Sequence, residues 1–459
     1  MDGMQNVPDE IRQYIQQLEE ENRFLKEAVH QLEQQLHRLH ERITQLEKRL
    51  KIHENPHTPP SLQRFKGNTA GNTNQPGKRG APPGHRGATR TVPEPDEIIP
   101  VTIDQCPRCG SFLGNSIGVE SRTIEELPPP QKIQVTRYDL RRYVCPGCGY
   151  EVTATHNDCP KVGNLGVRLM SVITMAKFRQ RGVLRRIQET LWEQYSFAIS
   201  PKGIHDVLLR VGDACSPEYE QLKQRIRCAQ WRYTDETGMP VMGKNWWLWV
   251  FRTEVDDVLA VIRHSRGKKV LEEILGTDFQ GATVNDGYRS YQRLPIVQRC
   301  WSHLLREVDD ITDASEHEQM LSEEMHKRFT LLKEFIGKDP PMEERQQQKK
   351  IWDAEIHAVV DEYIKYMDVR AKAHYVENGL GSWYTCLLYP GMQPTNNLAE
   401  QAIREHVIIR KIIGTFRSEK GSENYQCIAS LLATWRLQRK NMSEELENVL
   451  RHELCLSGS

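Results

Sequence analysis

The sequence has no apolar run approaching the roughly 20 residues that a membrane-spanning helix requires. Its start, MDGMQNVPDEIRQ, has no basic-then-apolar leader pattern, so a cytoplasmic protein with no membrane partner is expected. It also lacks a surplus of either charge: 62 Lys and Arg balance 62 Asp and Glu. A whole-protein basic footprint is therefore excluded, and any contact with nucleic acid must come from local patches. The 11 cysteines do not suit a disulfide framework. Four form two Cys-x-x-Cys pairs, which in a cytosolic chain points to metal, and the other seven fit buried thiols.

What is present divides by texture. At roughly 100–200 residues per domain, the 459 residues allow two to four domains. Apolar residues recur at alternating steps of three and four from Ile11 to Leu50. Ile15, Asn22, Val29, Leu36, Ile43 and Leu50 take heptad position a; Ile11, Leu18, Leu25, Leu32, Leu39 and Leu46 take d. This predicts a coiled coil over 8–52, and leucine at d with one buried Asn favours a parallel homodimer. A Gly/Pro-rich linker over 53–95 follows, with Lys78, Arg79 and Arg86 among its basic residues and no acid between Pro56 and Pro93. Such an arm is extended and can lie along DNA phosphates or be simply solvated.

Cys106-Pro107-Arg108-Cys109-Gly110 and Cys145-Pro146-Gly147-Cys148-Gly149 bracket a strand-like segment. Two tight turns of this kind present four thiolates, Cys106, Cys109, Cys145 and Cys148, to one tetrahedral Zn2+. With no open position that zinc is structural, within a zinc-ribbon module over 96–158. The stretch 159–228 is helical and basic. A helix containing Arg185 and Arg186, then Ser200-Pro201-Lys202 as the capped start of a second helix, resembles a helix-turn-helix; an internal helical scaffold fits the same pattern.

From Trp231 the pattern becomes strand-like. Three strands near 231–241, 245–252 and 258–262, a helix over 268–275, a strand over 281–288, a short helical turn and a strand over 296–301 give an α/β domain in ribonuclease-H-like order. Asp235 falls on the first strand, Asp286 at the end of the fourth, and Glu400 in the first turns of a helix capped by Thr395 or Asn396. Neighbouring strands bring the two aspartates to one ion, and the glutamate completes a site for two Mg2+ or Mn2+. Glu236, beside Asp235 on the opposite strand face, is a rival for that role. Glu400 could instead pair with Arg404 at i+4. His303 could contact a scissile phosphate or close a buried strand end. Arg404, Arg410, Lys411 and Arg417 could hold phosphates or form a solvated basic face.

The motifs Asp235-Glu236-Thr237-Gly238, Trp247-Leu248-Trp249-Val250, Asp286-Gly287-Tyr288, Cys300-Trp301-Ser302-His303, Asn396-Asn397-Leu398-Ala399-Glu400 and Gly414-Thr415-Phe416-Arg417 together resemble the transposase of insertion-sequence-66 elements. The resemblance covers nearly the whole chain. It implies a DD(E) catalytic domain over 229–435 with a helical insertion near 306–390, followed by a tail over 436–459. It further implies DNA ends and target DNA as partners, a nucleoid location, and room for accessory element-encoded proteins. A DNA-binding regulator without catalysis and a nuclease without strand transfer are the competing expectations.

Overall fold

The β-branched and aromatic runs form one five-stranded sheet in this computed structural model, which describes residues 23, 26, 94–125, 129–309 and 315–456. The expected coiled coil lies outside the described residues apart from Arg23 and Lys26, which are helical. The basic linker lies outside them apart from Glu94 and Pro95. The chain divides into two compact units, Met1–Ile124 and Glu125–Ser459.

In the first unit, the described segment makes one turn flanked by a Gln105–Phe112 bridge. The second unit opens with a small antiparallel hairpin of β1 (Arg142–Val144) and β2 (Glu151–Thr153). Three helices follow: α1 (Val167–Phe178), α2 (Leu184–Tyr195) and α3 (Pro201–Cys228). Helix α3 starts as its sequence dictates. Pro201 occupies the first turn, and the Ser200 hydroxyl accepts from Gly203 N at 3.0 Å. Ile204, Val207, Val211, Cys215, Leu222 and Ile226 then bury one stripe along its length. The helix that would follow the turn of a helix-turn-helix is therefore also a scaffold beam.

The sheet comprises β3 (Trp231–Gly238), β4 (Trp247–Thr253), β5 (Val258–Arg263), β6 (Ala282–Asn285) and β7 (Ile296–Arg299). Its order is β5-β4-β3-β6-β7: β3, β4 and β5 form an antiparallel meander, and β6 and β7 add in parallel. Helix α4 (Lys268–Leu275) makes the crossover from β5 to β6, and a 3-10 turn (Arg289–Arg293) joins β6 to β7. Elements thus follow one another as expected from the sequence, except at one point. The fifth strand ends at Arg299, and Trp301 begins helix α5 (Trp301–Val308), which places His303 on a helix.

Beyond α5 come the helices α6 (Glu316–Gly337), α7 (Met342–Tyr363) and α8 (Arg370–Glu377). Helices α9 (Asn397–Ile413), α10 (Glu419–Leu437) and α11 (Met442–Arg451) follow, and a short π-helical turn, His452–Leu456, extends the last of them. On one face of the sheet, Trp249, Phe251, Leu259 and Val261 pack with α1–α4, α10 and α11. On the other, Leu248, Val250 and Ala260 meet Ile403 and Ile409 of α9, while Tyr233 and Val284 join the insertion core.

Both sheet edges are covered. The outward N–H groups of Val258, Ala260 and Ile262 recur every second residue of β5, and α10 offers acceptors every fourth. Thr434 Oγ1, Ser430 Oγ and Gln426 Oε1 accept from them at 2.9, 2.8 and 2.7 Å. Two strand residues and one helical turn advance the chain by similar lengths, so one helix face satisfies the whole edge. At β7, Arg299 N donates to Ser382 O at 2.9 Å, and Gln298 Oε1 accepts from Cys386 N at 2.7 Å.

Candidate active site and zinc-finger segment

Asp235 sits in the second half of β3, opposite Val250 of β4, and is half-buried. Asp286 directly follows β6, the parallel neighbour of β3. Its Oδ1 accepts from Tyr288 N at 2.8 Å, while the preceding Asn285 Oδ1 accepts from Gly287 N at 2.8 Å. Two successive side-chain turns thus shape this loop. Gly287 is required in it: its φ is +86°, and an added Cβ would lie 2.0 Å from Arg299 Cζ. Glu400 lies in the first turn of α9. That helix is fixed to β3 by Asn396, which occupies the capping position but uses its side chain elsewhere. Asn396 Nδ2 donates to Thr234 O at 2.8 Å, and its backbone N donates to Cys300 Sγ at 3.1 Å.

The three acids meet electrostatically at Asp235. Burial first, then Glu236 and Asp286, and finally Glu400 push its carboxyl well above the usual range. Glu236 has a different environment. Its carboxylate pairs with Arg266, at 2.7 Å from Nη2, and accepts the Tyr291 hydroxyl hydrogen bond. Arg266 is in turn stacked 3.6 Å from the Tyr288 ring centroid and 4.7 Å from that of Trp247. Glu236 is thus ion-paired, although burial and then Asp286 still push its carboxyl up, whereas Asp235 has no ion pair among the described residues and feels Glu236, Asp286 and Glu400. Among the described residues no ion pair joins Glu400 to Arg404; Glu400 Oε1 instead lies 3.9 Å from His303 Nε2. The acids do not form a closed cage: among the described residues no three His, Cys, Asp or Glu side chains stand at metal-ligand spacing. As a donor set, three carboxylates are hard oxygens of the kind that suit Mg2+ or Mn2+.

The basic residues separate. Arg185 and Arg186 are exposed on α2, the latter 2.6 Å from Glu189; Lys202 is exposed at the start of α3 and pairs with Asp206. Arg404, Lys411 and Arg417 are exposed on and just beyond α9. Arg410 is half-buried and bonded to Thr237 Oγ1 at 3.0 Å and to Gly238 O, so it fastens α9 to the end of β3. Lys78, Arg79 and Arg86 lie outside the described residues. Arg266, Tyr291 and Asn396 were not singled out as site residues by sequence pattern. Their partners are far away in the chain, and only the Asn396 cap position gave a local signal.

Each Cys-x-x-Cys-Gly segment folds alike within its own unit. Gly110 N donates to Cys106 O and Cys106 N to Ser111 O, both at 2.8 Å. Gly149 N donates to Cys145 O at 2.9 Å and Cys145 N to Tyr150 O at 2.8 Å. The two glycines have φ of +77° and +74°, the left-handed conformation that lets the chain turn back. Hydrogen bonding from Ser111 holds Cys109 below the usual thiol range. The backbone N–H groups of Gly147 and Cys148 do the same for Cys145. Both turns therefore favour thiolate, the form that binds zinc.

This is a protein with paired cysteine turns, followed by a mixed α/β domain that carries acidic side chains on and just after two neighbouring central strands. Comparison with protein families matches residues 163–424 to the Transposase IS66 family, and residues 104–149 to the zinc-finger binding domain of transposase IS66. The first match spans more than half of the chain and includes all three acids; the second includes all four paired cysteines. The chain belongs to the Transposase IS66 family: it is a transposase with a DNA-binding zinc finger. Among curated proteins nothing matches it. Among the described residues no helix is long and apolar enough to cross a membrane.

Proposed function

We propose that the chain is a DD(E) transposase that cleaves the 3′ ends of its element and joins them to target DNA, with Asp235, Asp286 and Glu400 as the acids of a ribonuclease-H-like active site. The observation that carries this reading is half-buried Asp235, crowded by Glu236, Asp286 and Glu400 and with no ion pair among the described residues. Retaining such repulsion in a folded core is costly unless cations offset it. Two Mg2+ or Mn2+ would supply activation of the attacking oxygen and charge neutralisation at the leaving one. The protein's own work is positional. Asp235 and Asp286 are set by adjacent strands, Glu400 is brought over them by the Asn396 anchor, and His303 stands beside Glu400. Arg266 and Tyr291 hold Glu236, the neighbour of Asp235 on the strand, out of the ligand set.

In the first step, water forms a P–O bond as the bond from phosphorus to the 3′ oxygen breaks, freeing a 3′-hydroxyl. In the second, that hydroxyl forms a bond to a target phosphorus as the target's own 3′ P–O bond breaks. The attacking hydroxyl's proton leaves to solvent and the departing oxygen regains one. The heptads of 8–52 would pair two chains, and Cys106, Cys109, Cys145 and Cys148 would hold one structural zinc. The basic linker and the exposed arginines of α2 and α9 would contact phosphates, in the cytoplasm on nucleoid DNA. The test is joining of labelled element ends to plasmid DNA in Mg2+. The parent is expected to join them, and Asp235→Asn, Asp286→Asn and Glu400→Gln each to lose at least 10²–10³-fold, on the scale of losing a preorganised charge-stabilising group. Full joining by any variant removes that residue from its role, and cleavage without joining leaves a nuclease.

A further inference from the structure

The helix that carries Glu400 has a second, outward-facing use. Gln401, the next residue, opens onto a pocket of about 270 Å3 between the end of α1, β4, α9 and α10. Phe178, Ile409 and Leu432 give it an apolar floor. Arg179, Arg252 and Arg436 supply its basic groups, and Glu405 is the one acid of the lining. That acid is already neutralised: Arg181 grips it with two hydrogen bonds of 2.8 Å. Arg252 is held by Asp256 at 2.7 Å. Among the described residues, Arg179 and Arg436 have no carboxylate within ion-pair distance. Burial, then the charge of Arg436, lowers the pKa of Arg179, and Glu405 offsets this only in part, so the two guanidinium groups repel across the pocket.

Two unpaired guanidinium groups over an apolar floor lack an anion with an apolar neighbour. Planar guanidinium matches phosphate oxygens in bidentate fashion. The pocket is slightly smaller than the roughly 300–1,000 Å3 of ordinary small-molecule sites. A backbone segment suits it better than a large free ligand. Gln401 of its lining is one residue along α9 from Glu400, and exposed Arg404 lies on the same helix. We propose that this pocket seats one phosphodiester of a DNA strand between Arg179 and Arg436, with the attached deoxyribose against Phe178 and Leu432. The proposal rests on the DNA-joining reading for its ligand, but needs neither the acids nor their cations.

The experiment is equilibrium binding of the full chain to a fluorescent DNA duplex across a salt series without added divalent ions. The parent is compared with Arg179→Gln/Arg436→Gln, with the charge-keeping Arg179→Lys/Arg436→Lys, and with Ala433→Glu, which puts a carboxylate in the pocket. A control pair, Lys338→Gln/Lys350→Gln, alters exposed charges on the helical insertion. Losing one phosphate contact is expected to reduce the slope of log K against log salt by about 0.9 and to weaken binding about 10-fold. The glutamine pair and Ala433→Glu should both show this; the lysine pair and the control should keep the parent slope. Equal affinity and slope in glutamine and glutamate variants that melt like the parent would overturn the pocket assignment alone. A parent that binds no DNA would overturn the DNA-joining reading with it. Thermal stabilisation of the parent by thymidine monophosphate or inorganic phosphate, with an unchanged DNA slope in the variants, would make this a small-anion site and overturn the DNA assignment.

Discussion

Asp235 and Glu236 are chemically similar neighbours with opposite fates, and strand geometry separates them. Successive side chains on β3 point to opposite faces, so Glu236 reaches Arg266 and Tyr291 while Asp235 has no ion pair among the described residues; Asp286 acts on both carboxylates and Glu400 on Asp235. The two substitutions should therefore differ. Glu236→Gln strands the Arg266 charge and is expected to lower unfolding stability by about 1–3 kcal/mol, less than a fully buried pair because Arg266 is 32% exposed. Asp235→Asn relieves repulsion and should leave cation-free stability equal or higher; denaturant unfolding of both variants checks this. Alternation alone puts the two acids on opposite faces, but does not say which face holds the other acids. That choice depends on Arg266 and Tyr291, whose approach is a tertiary event.

At the scale of elements, two helices make the domain testable. Ser430 of α10 accepts from Ala260 N at 2.8 Å in a buried setting. Ser430→Ala leaves that N–H without its acceptor and should cost about 1–3 kcal/mol, read as a lower denaturant midpoint with an unchanged slope. On α9, His406 is buried against the Tyr425 hydroxyl at 2.8 Å, and burial pulls its pKa down to about 4 from 6.5. The fold keeps this ring neutral. Its contribution is complete above pH 6.5 and is lost as pH falls from there towards 4, by about 3 kcal/mol in all. Melting temperature against pH should therefore fall less for His406→Gln than for the parent across that window; parallel curves would contradict the assignment. The strands were legible because their β-branched and aromatic runs are bounded by turn residues. The boundary at Trp301 was not. Arg299-Cys300-Trp301 continues the strand pattern, and only packing of Trp301 against Phe329, Trp383 and Tyr384 shows that the helix has begun.

Over the whole molecule, the two cysteine turns and the three acids offer different donors. The turns carry thiolate-favouring N–H groups and belong to a zinc-finger match; the acids present hard oxygens in a transposase match. Elemental analysis should find one zinc per chain, and Cys148→Ser should lower both zinc content and DNA affinity without displacing the α/β domain's own melting transition. Spacing made the cysteine ligands readable. The three acids were readable only as candidates among many, because their placement depends on sheet order and on the Asn396 anchor rather than on local sequence. The most direct measurement of the central claim is a count of bound Mn2+ by electron paramagnetic resonance on the zinc-loaded chain. Two Mn2+ per chain are predicted for the parent, with binding lost or weakened in Asp235→Asn, Asp286→Asn and Glu400→Gln and kept in Glu236→Gln. Equal Mn2+ binding by the parent and the three acid variants would contradict it.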